Sequence, residues 1–237
     1  MIEVAVGFYA AALGVSHEAV RPAAGEFFRL YPERPIPDNS GGSGFADCFW
    51  LYTAARLLDP RLIVENGVYR GQTTWLLRQA CPQARLHAID VDLGSLRFRD
   101  PSIHYHQGDW TEVSLADVDP DRALVFFDDH VNQARRLREA HHRGFRTLLF
   151  DDDLEAETLH ATGLPPVPTI AMVLDDRLEP GERIEWLRHG RPRHYVVEPA
   201  DTVGTRGLIQ SRHVTPDLTP IVRQRPQGGL TLVRLVR

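Results

Sequence analysis

The sequence predicts an α/β fold built on a doubly wound, mostly parallel sheet, and three observations carry that reading. From about residue 61 to residue 150, short apolar runs alternate with segments of helical apolar spacing, the rhythm of strand–helix–strand units. One of the runs, Ala123–Phe127, is apolar throughout, as befits a strand covered on both faces by helices. Hydrophobic residues at 43% and charged residues at 25% are enough to bury a sizeable core in a chain of 237 residues.

The elements follow in order. Val4–Leu13 and Glu18–Leu30 have helical spacing, and a Pro/Gly-rich stretch, Pro32–Gly44, separates them from an apolar helix over about Phe45–Leu58. Residues 1–44 thus read as a helical extension and 45–237 as the main domain. Arg61–Glu65 is a strand entering a glycine turn, and Thr73–Ala80 is a helix closed by Pro82. Strands are predicted at Arg85–Asp90, Ile103–Gly108, Ala123–Phe127 and Arg146–Phe150. A helix over Val131–His142, stopped by Gly144, precedes the last of these. Beyond Asp153, Arg193–Val197 and Leu230–Val236 read as strands. A hairpin between Thr219–Gln224 and Leu230–Val236 is expected across Pro226-Gln227-Gly228-Gly229.

Composition removes several function classes. A net charge of -5 offers no basic excess for nucleic acid or an anionic membrane surface. No apolar run reaches the roughly 20 residues of a membrane-spanning helix. Glu3 stands where a signal peptide carries positive charge, and Cys48 and Cys81 form neither a disulfide framework nor a metal spacing. Both features fit a cytoplasmic protein. All 27 basic residues are arginine. A lysine Schiff base, a P-loop lysine and a lysine general base are therefore excluded.

Four constellations carry chemistry. Glu65-x-Gly67-x-x-x-Gly71 leaves the first strand and opens a helix, so a ligand can approach the backbone closely and an anionic group can meet the helix N-terminus. The spacing differs from the G-x-G-x-x-G of a dinucleotide site, and the same glycines also suit a ligand-free turn. Asp90 ends the second strand, where a carboxylate can accept from the hydroxyls of a ribose or cap a helix. Gly108-Asp109-Trp110 follows the third strand, with a carboxylate for an adenine amino group and an indole to pack on the base. Finally, Asp128-Asp129-His130 and Asp151-Asp152-Asp153 end the fourth and fifth strands. Adjacent parallel strands lie about 5 Å apart, so these carboxylates converge and need a cation or neutralising protons. A hard ion such as Mg²⁺ suits carboxylate ligands, and His130 can serve as general base. Asp128, Asp129 and Asp153 can equally cap helices or pair with arginines.

In order and spacing these motifs resemble the class I S-adenosylmethionine-dependent methyltransferases over roughly residues 45–155. That resemblance implies a Rossmann-like, seven-stranded sheet with helices on both faces. It assigns Glu65, Gly67 and Gly71 to the amino-acid part of S-adenosylmethionine, Asp90 to its ribose, and Asp109 with Trp110 to its adenine. The strand-four and strand-five motifs resemble the metal-dependent small-molecule O-methyltransferases of the catechol, sugar/macrolide and cephalosporin-modifying types. They imply Mg²⁺ on Asp129, Asp151 and Asp152, with Asp128 a rival for the first position, and an acceptor of natural-product kind. The catechol type supplies a lysine base near the position of Asn132, so His130 is the base this sequence offers.

Other features weigh less. Arg135, Arg138 and His142 share a helix face that reads as solvated surface. Asn39–Gly44 suits either a lid or a linker, and Pro199–Pro216 is long enough to cover an acceptor pocket. The reading that emerges is methyl transfer to an oxygen of a small molecule by a chain that can form homo-oligomers. The acceptor is not legible, nor is transfer to nitrogen or carbon excluded. A nucleoside- or NAD-using oxidoreductase and a non-catalytic binding protein on the same scaffold are the rivals.

Overall fold

A computed structural model of the chain describes residues 1–115, 119–161, 165–175, 178–188, 190–222 and 229–237, and the side chains of residues 160 and 161 are not described. Three helices, α1 (Ile2–Leu13), α2 (His17–Leu30) and α3 (Phe45–Leu58), precede the sheet. Ser16 caps α2 by accepting from Ala19 N, and Gly14 ends α1 in the left-handed conformation. These helices share one apolar core: the Tyr9 hydroxyl donates to Trp50 O at 2.6 Å, and Phe27 packs on Phe49 and Tyr52.

The strand–helix alternation is as the periodicity predicts. It runs β1 (Leu62–Asn66), α4 (Gln72–Ala80), β2 (Arg85–Asp90), β3 (Ile103–Gln107), β4 (Ala123–Phe127), α5 (Gln133–His142) and β5 (Thr147–Phe150). All five strands pair in parallel. After β5 come α6 (Ile170–Leu174), the hairpin β6 (Arg183–Arg188) and β7 (Arg191–Val196), α7 (Pro199–Arg206), β8 (Ile209–Val214), the single turn α8 (Thr219–Val222) and β9 (Thr231–Leu235). The sheet has seven strands in the order β3-β2-β1-β4-β5-β9-β8, with β9 antiparallel to both β5 and β8. The order in which strands are added reverses between β1 and β4, the switch point at which open α/β sheets bind ligands. Both faces are covered. One apolar cluster joins Phe49, Leu76 and Leu77 to Ile63, Leu86 and Leu124, and a second joins Leu137 and Ala140 to Val64, Val125 and Leu148.

The C-terminal third departs from the sequence reading. The hairpin partner of β9 is β8, and Thr219–Val222 is helical; the remainder of the predicted strand and its turn residues 226–228 lie outside the described residues. Residues 199–216 are not one long loop. They fold as α7 and β8, with Arg138 donating to Ala200 O at 2.6 Å, so Arg138 is a packing residue rather than part of a solvated face.

At the outer edge of the sheet, His87 on β2 stacks on His104 and His106 of β3, and its Nδ1 lies 3.0 Å from His106 Nε2. Burial, then the neighbouring His104, His106 and Arg85 charges, lower its pKa to about 4. The unfolded chain, with an ordinary value of about 6.5, binds a proton more readily. The stability His87 contributes is therefore complete above about pH 6.5 and is lost as the pH falls toward 4. Thermal unfolding of the wild type and His87→Gln at pH 7.5 and 5 checks this. The wild type should lose a few degrees more than the variant, at ~2–4 °C per kcal/mol for a chain of this size. Equal pH slopes would contradict it.

Candidate active site

The C-terminal ends of β1 to β5 line one cleft of about 670 Å³. Its walls include Gly67 and Asn66 from β1 and its turn, Asp90 and Asp92 after β2, and Gly108 and Asp109 after β3. Asp128, Asp129 and His130 after β4 and Asp151 and Asp152 after β5 complete that side. Gly41, Gly42 and Ser43 reach in from the loop before α3. Three of the four non-glycine residues with left-handed backbone among the described residues, Tyr69 (φ 49), His130 (φ 53) and Asp152 (φ 54), line this cleft. Such conformations cost energy and gather where a site is over-determined by its surroundings.

The glycine turn is built for close packing. Gly67 has φ 90, and a Cβ there would stand 2.2 Å from the Asp128 carbonyl oxygen, so the β1 turn and the β4 exit abut backbone to backbone. Glu65 and Gly71, which the sequence suggests as ligand contacts, do not line the cleft. Glu65 is fully buried, accepts from Thr74 Oγ1 at 2.6 Å, and has its pKa raised to about 7 by burial against the lowering effect of Thr73 and Thr74. It pins α4 beneath the turn. Gly71, at φ 88, is the N-cap of α4 and faces Leu96 and Phe98.

Asp90 does line the cleft, but its carboxylate already accepts from Val68 N (2.7 Å) and Tyr69 N (3.0 Å) through Oδ2 and from Asp92 N (3.0 Å) through Oδ1. Of about four acceptor sites on a carboxylate, one is left for a ribose hydroxyl. Asp109 is more fully engaged. Arg136 grips it at 2.8 and 3.3 Å, and Thr111 donates through both N and Oγ1. Burial alone would raise its pKa, but Arg136 and Thr111 outweigh it and hold the carboxyl well below the usual range. Trp110 does not offer a free indole face. It is 1% exposed, its Nε1 donates to Glu139 at 2.8 Å, Arg143 lies 4.5 Å over its ring and Phe127 meets it edge-on.

The carboxylates after β4 and β5 divide into two groups. Asp129 turns away to Arg136, whose Nε lies 2.8 Å from Oδ2. Asp128 turns inward and shares a hydrogen bond with Asp151. Burial first, then the facing Asp152 for Asp128 and the facing Asp128 for Asp151, push both carboxyls well above the ordinary range; Asp47 follows to about 6. The expected Mg²⁺ set of Asp129, Asp151 and Asp152 is therefore not assembled, because Asp129 is spent on a guanidinium. Among the described residues no three His, Cys, Asp or Glu side chains stand ready to hold a metal. Asp128, Asp151 and Asp152 supply only the oxygen donors a hard cation prefers, not an assembled site, and Asp151 Oδ1 is buried without a hydrogen-bond partner. Asp153 is structural: it accepts from Ala171 N at 2.6 Å and pairs with Arg212 at 2.8 Å.

His130 projects into the same region with Nδ1 3.7 Å from Asp152 Oδ2. Asn132 is not in a chemical role. It caps α5 by accepting from Arg135 N at 2.8 Å and donates to Tyr195 and Asp201. The residue that sequence reasoning most clearly missed is Arg136. It sits on α5, 2% exposed, joining Asp109, Asp129 and Glu139. One arginine among several on a polar helix leaves no signal by itself; only the convergence of the β3 and β4 exits singles it out.

No protein-family model matches the sequence, and no curated protein matches it either. Solved structures do. A Klebsiella pneumoniae protein provisionally assigned as an O-methyltransferase aligns with a TM-score of 0.51 at 16% identity, over 98% of this chain and 96% of that one. The O-methyltransferase TomG of Streptomyces achromogenes, involved in tomaymycin synthesis and solved with S-adenosylmethionine, gives 0.49 at 16% identity over 99% and 96%. An O-methyltransferase of Bacillus cereus in complex with S-adenosylhomocysteine gives 0.48 at 11% identity over 100% of both chains. The chain has the Rossmann-like fold of the class I methyltransferases, with helices at its N-terminus.

Proposed function

We propose that this protein transfers a methyl group from S-adenosylmethionine to an oxygen of a small acceptor. The observation that carries this reading is a single cleft at the sheet's switch point. There the Gly67 turn, Asp90 and Gly108 line one part, while His130, Asp128, Asp151 and Asp152 line another. Assignment of the Klebsiella pneumoniae relative as an O-methyltransferase points the same way.

S-adenosylmethionine, when bound, supplies a methyl group already activated by its sulfonium. What remains for the chain is alignment and deprotonation. The Gly67 turn sets the β1 exit against the β4 exit at the cleft wall, and Asp90 keeps one acceptor site for a ribose hydroxyl. His130 lies in the same cleft with its Nδ1 3.7 Å from Asp152 Oδ2, which leaves Nε2 as the nitrogen for the acceptor. Nε2 then takes the acceptor's hydroxyl proton as the oxygen bonds to the methyl carbon. The carbon–sulfur bond breaks, its electron pair returns to sulfur, and a neutral thioether remains. Asp128, Asp151 and Asp152 are the residues that would hold Mg²⁺, whose charge would offset theirs and favour the ionised form of an acceptor hydroxyl. With Asp109 and Trp110 engaged elsewhere, the adenine contacts expected of them are reduced to what their exposed edges allow.

Titration calorimetry with S-adenosylhomocysteine, in EDTA and then with Mg²⁺, tests the reading. Micromolar binding is the expected result, and no binding in either condition would remove it. Turnover of an acceptor that stops in EDTA and returns with Mg²⁺ would support the cation; turnover indifferent to EDTA would leave His130 and the proton-sharing aspartates to act without it.

A further inference from the structure

The cleft contains a polar side chain for which the fold provides nothing. Asn66, the last residue of β1, is 2% exposed and lines the cleft, yet neither its Nδ2 nor its Oδ1 has a hydrogen-bond partner. Its main chain is fully used: the carbonyl accepts from Asp128 N at 2.7 Å, and the residue pairs in register with Ile89 and Phe127. The side chain is thus not retained to hold the strand. Both register partners are apolar, and Leu62 and Val64, on the same side of β1, belong with them to one apolar cluster. An apolar residue would serve packing better here, because burying an amide without partners is destabilising.

A polar group that packing does not want, in a wall that packing otherwise determines, marks a position where stability has been given up for binding. We propose that the Asn66 carboxamide hydrogen-bonds the cofactor held in this cleft, a role that rests on the methyltransferase reading above. Three features favour the cofactor over the acceptor as its partner. Asn66 adjoins Gly67, the residue that forces the turn. Its register partner Ile89 immediately precedes Asp90, and both line the cleft. Asp90 spends three acceptor sites on backbone amides and Asp109 is held by Arg136 and Thr111, so these two carboxylates leave part of the recognition of a nucleoside to other groups of the cleft. A carboxamide provides a donor and an acceptor side by side.

The experiment compares wild type with Asn66→Leu, a near-isosteric change, by S-adenosylhomocysteine calorimetry and by thermal unfolding of the ligand-free protein. The expected result is a Kd raised at least tenfold, about 1.4 kcal/mol, with the ligand-free Tm unchanged or higher. A purely structural asparagine predicts the reverse, a lower Tm and unchanged affinity. Either an unchanged Kd or a lowered Tm overturns the assignment. Should Asn66→Leu not fold, Asn66→Ala is read by Kd alone, and an affinity within twofold of wild type overturns the assignment. A wild type that fails to bind S-adenosylhomocysteine overturns the cofactor reading itself. A binding wild type with an equally binding variant overturns only the role of Asn66.

Discussion

Replacing His130 with asparagine is expected to lower turnover by about 10²–10⁴-fold while leaving S-adenosylhomocysteine affinity within about twofold. Asparagine is the informative substitute because His130 holds φ 53, and asparagine tolerates the left-handed region better than most residues. Lost activity then reports the missing proton acceptor rather than a rearranged turn. Release of S-adenosylhomocysteine from S-adenosylmethionine, with any acceptor the wild type uses, is the measurement. Turnover within threefold of wild type would remove His130 from the reaction and move proton transfer to the Asp128–Asp151 pair. Asp152→Asn should fall between the two, since at 3.7 Å it orients the ring without receiving the proton.

Arg136→Met is expected to cost about 3–5 kcal/mol of stability, because removing one member of a buried ionic cluster strands the charges that remain. Three carboxylates, Asp109, Asp129 and Glu139, contact this guanidinium at 2.8 Å, and its side chain is 3% exposed. At ~2–4 °C per kcal/mol the Tm should drop by roughly 6–20 °C. Arg136→Lys should recover only part of it, since an ammonium is a point charge and cannot grip three acceptors as a planar fork does. A Tm within 2 °C of wild type for Arg136→Met would show that the cluster relaxes into water. The consequence reaches function as well: Arg136 ties the β3 exit to the β4 exit, so its loss should also weaken cofactor binding.

Much of the fold was legible in the chain. Strand and helix periodicity located α1 to α5 and β1 to β5 to within two residues, because parallel strands covered on both faces must be apolar and their helices must keep one apolar face. The positions of the site residues followed from this, since motifs at successive strand ends of a parallel sheet are forced to one edge. What periodicity could not supply was partnership. β9 pairs with β8, and Thr219–Val222 is helical, a choice set by long-range register.

The division is sharpest among the aspartates. Sequence alone determined that Asp128, Asp129, Asp151 and Asp152 meet at one place and that so much like charge needs neutralising. Only the tertiary structure decided how. Successive residues leaving a strand point to opposite sides, so Asp129 goes to Arg136 while Asp128 goes inward to share a proton with Asp151. The same holds for Asp109 and Trp110, placed correctly by the motif but engaged by Arg136, Glu139 and Arg143 from a helix whose packing angle no local pattern encodes. A sequence fixes which side chains arrive at the edge of the sheet, because strand direction and spacing are local properties. Which of them remain available to a ligand depends on neighbours brought together by the folded chain.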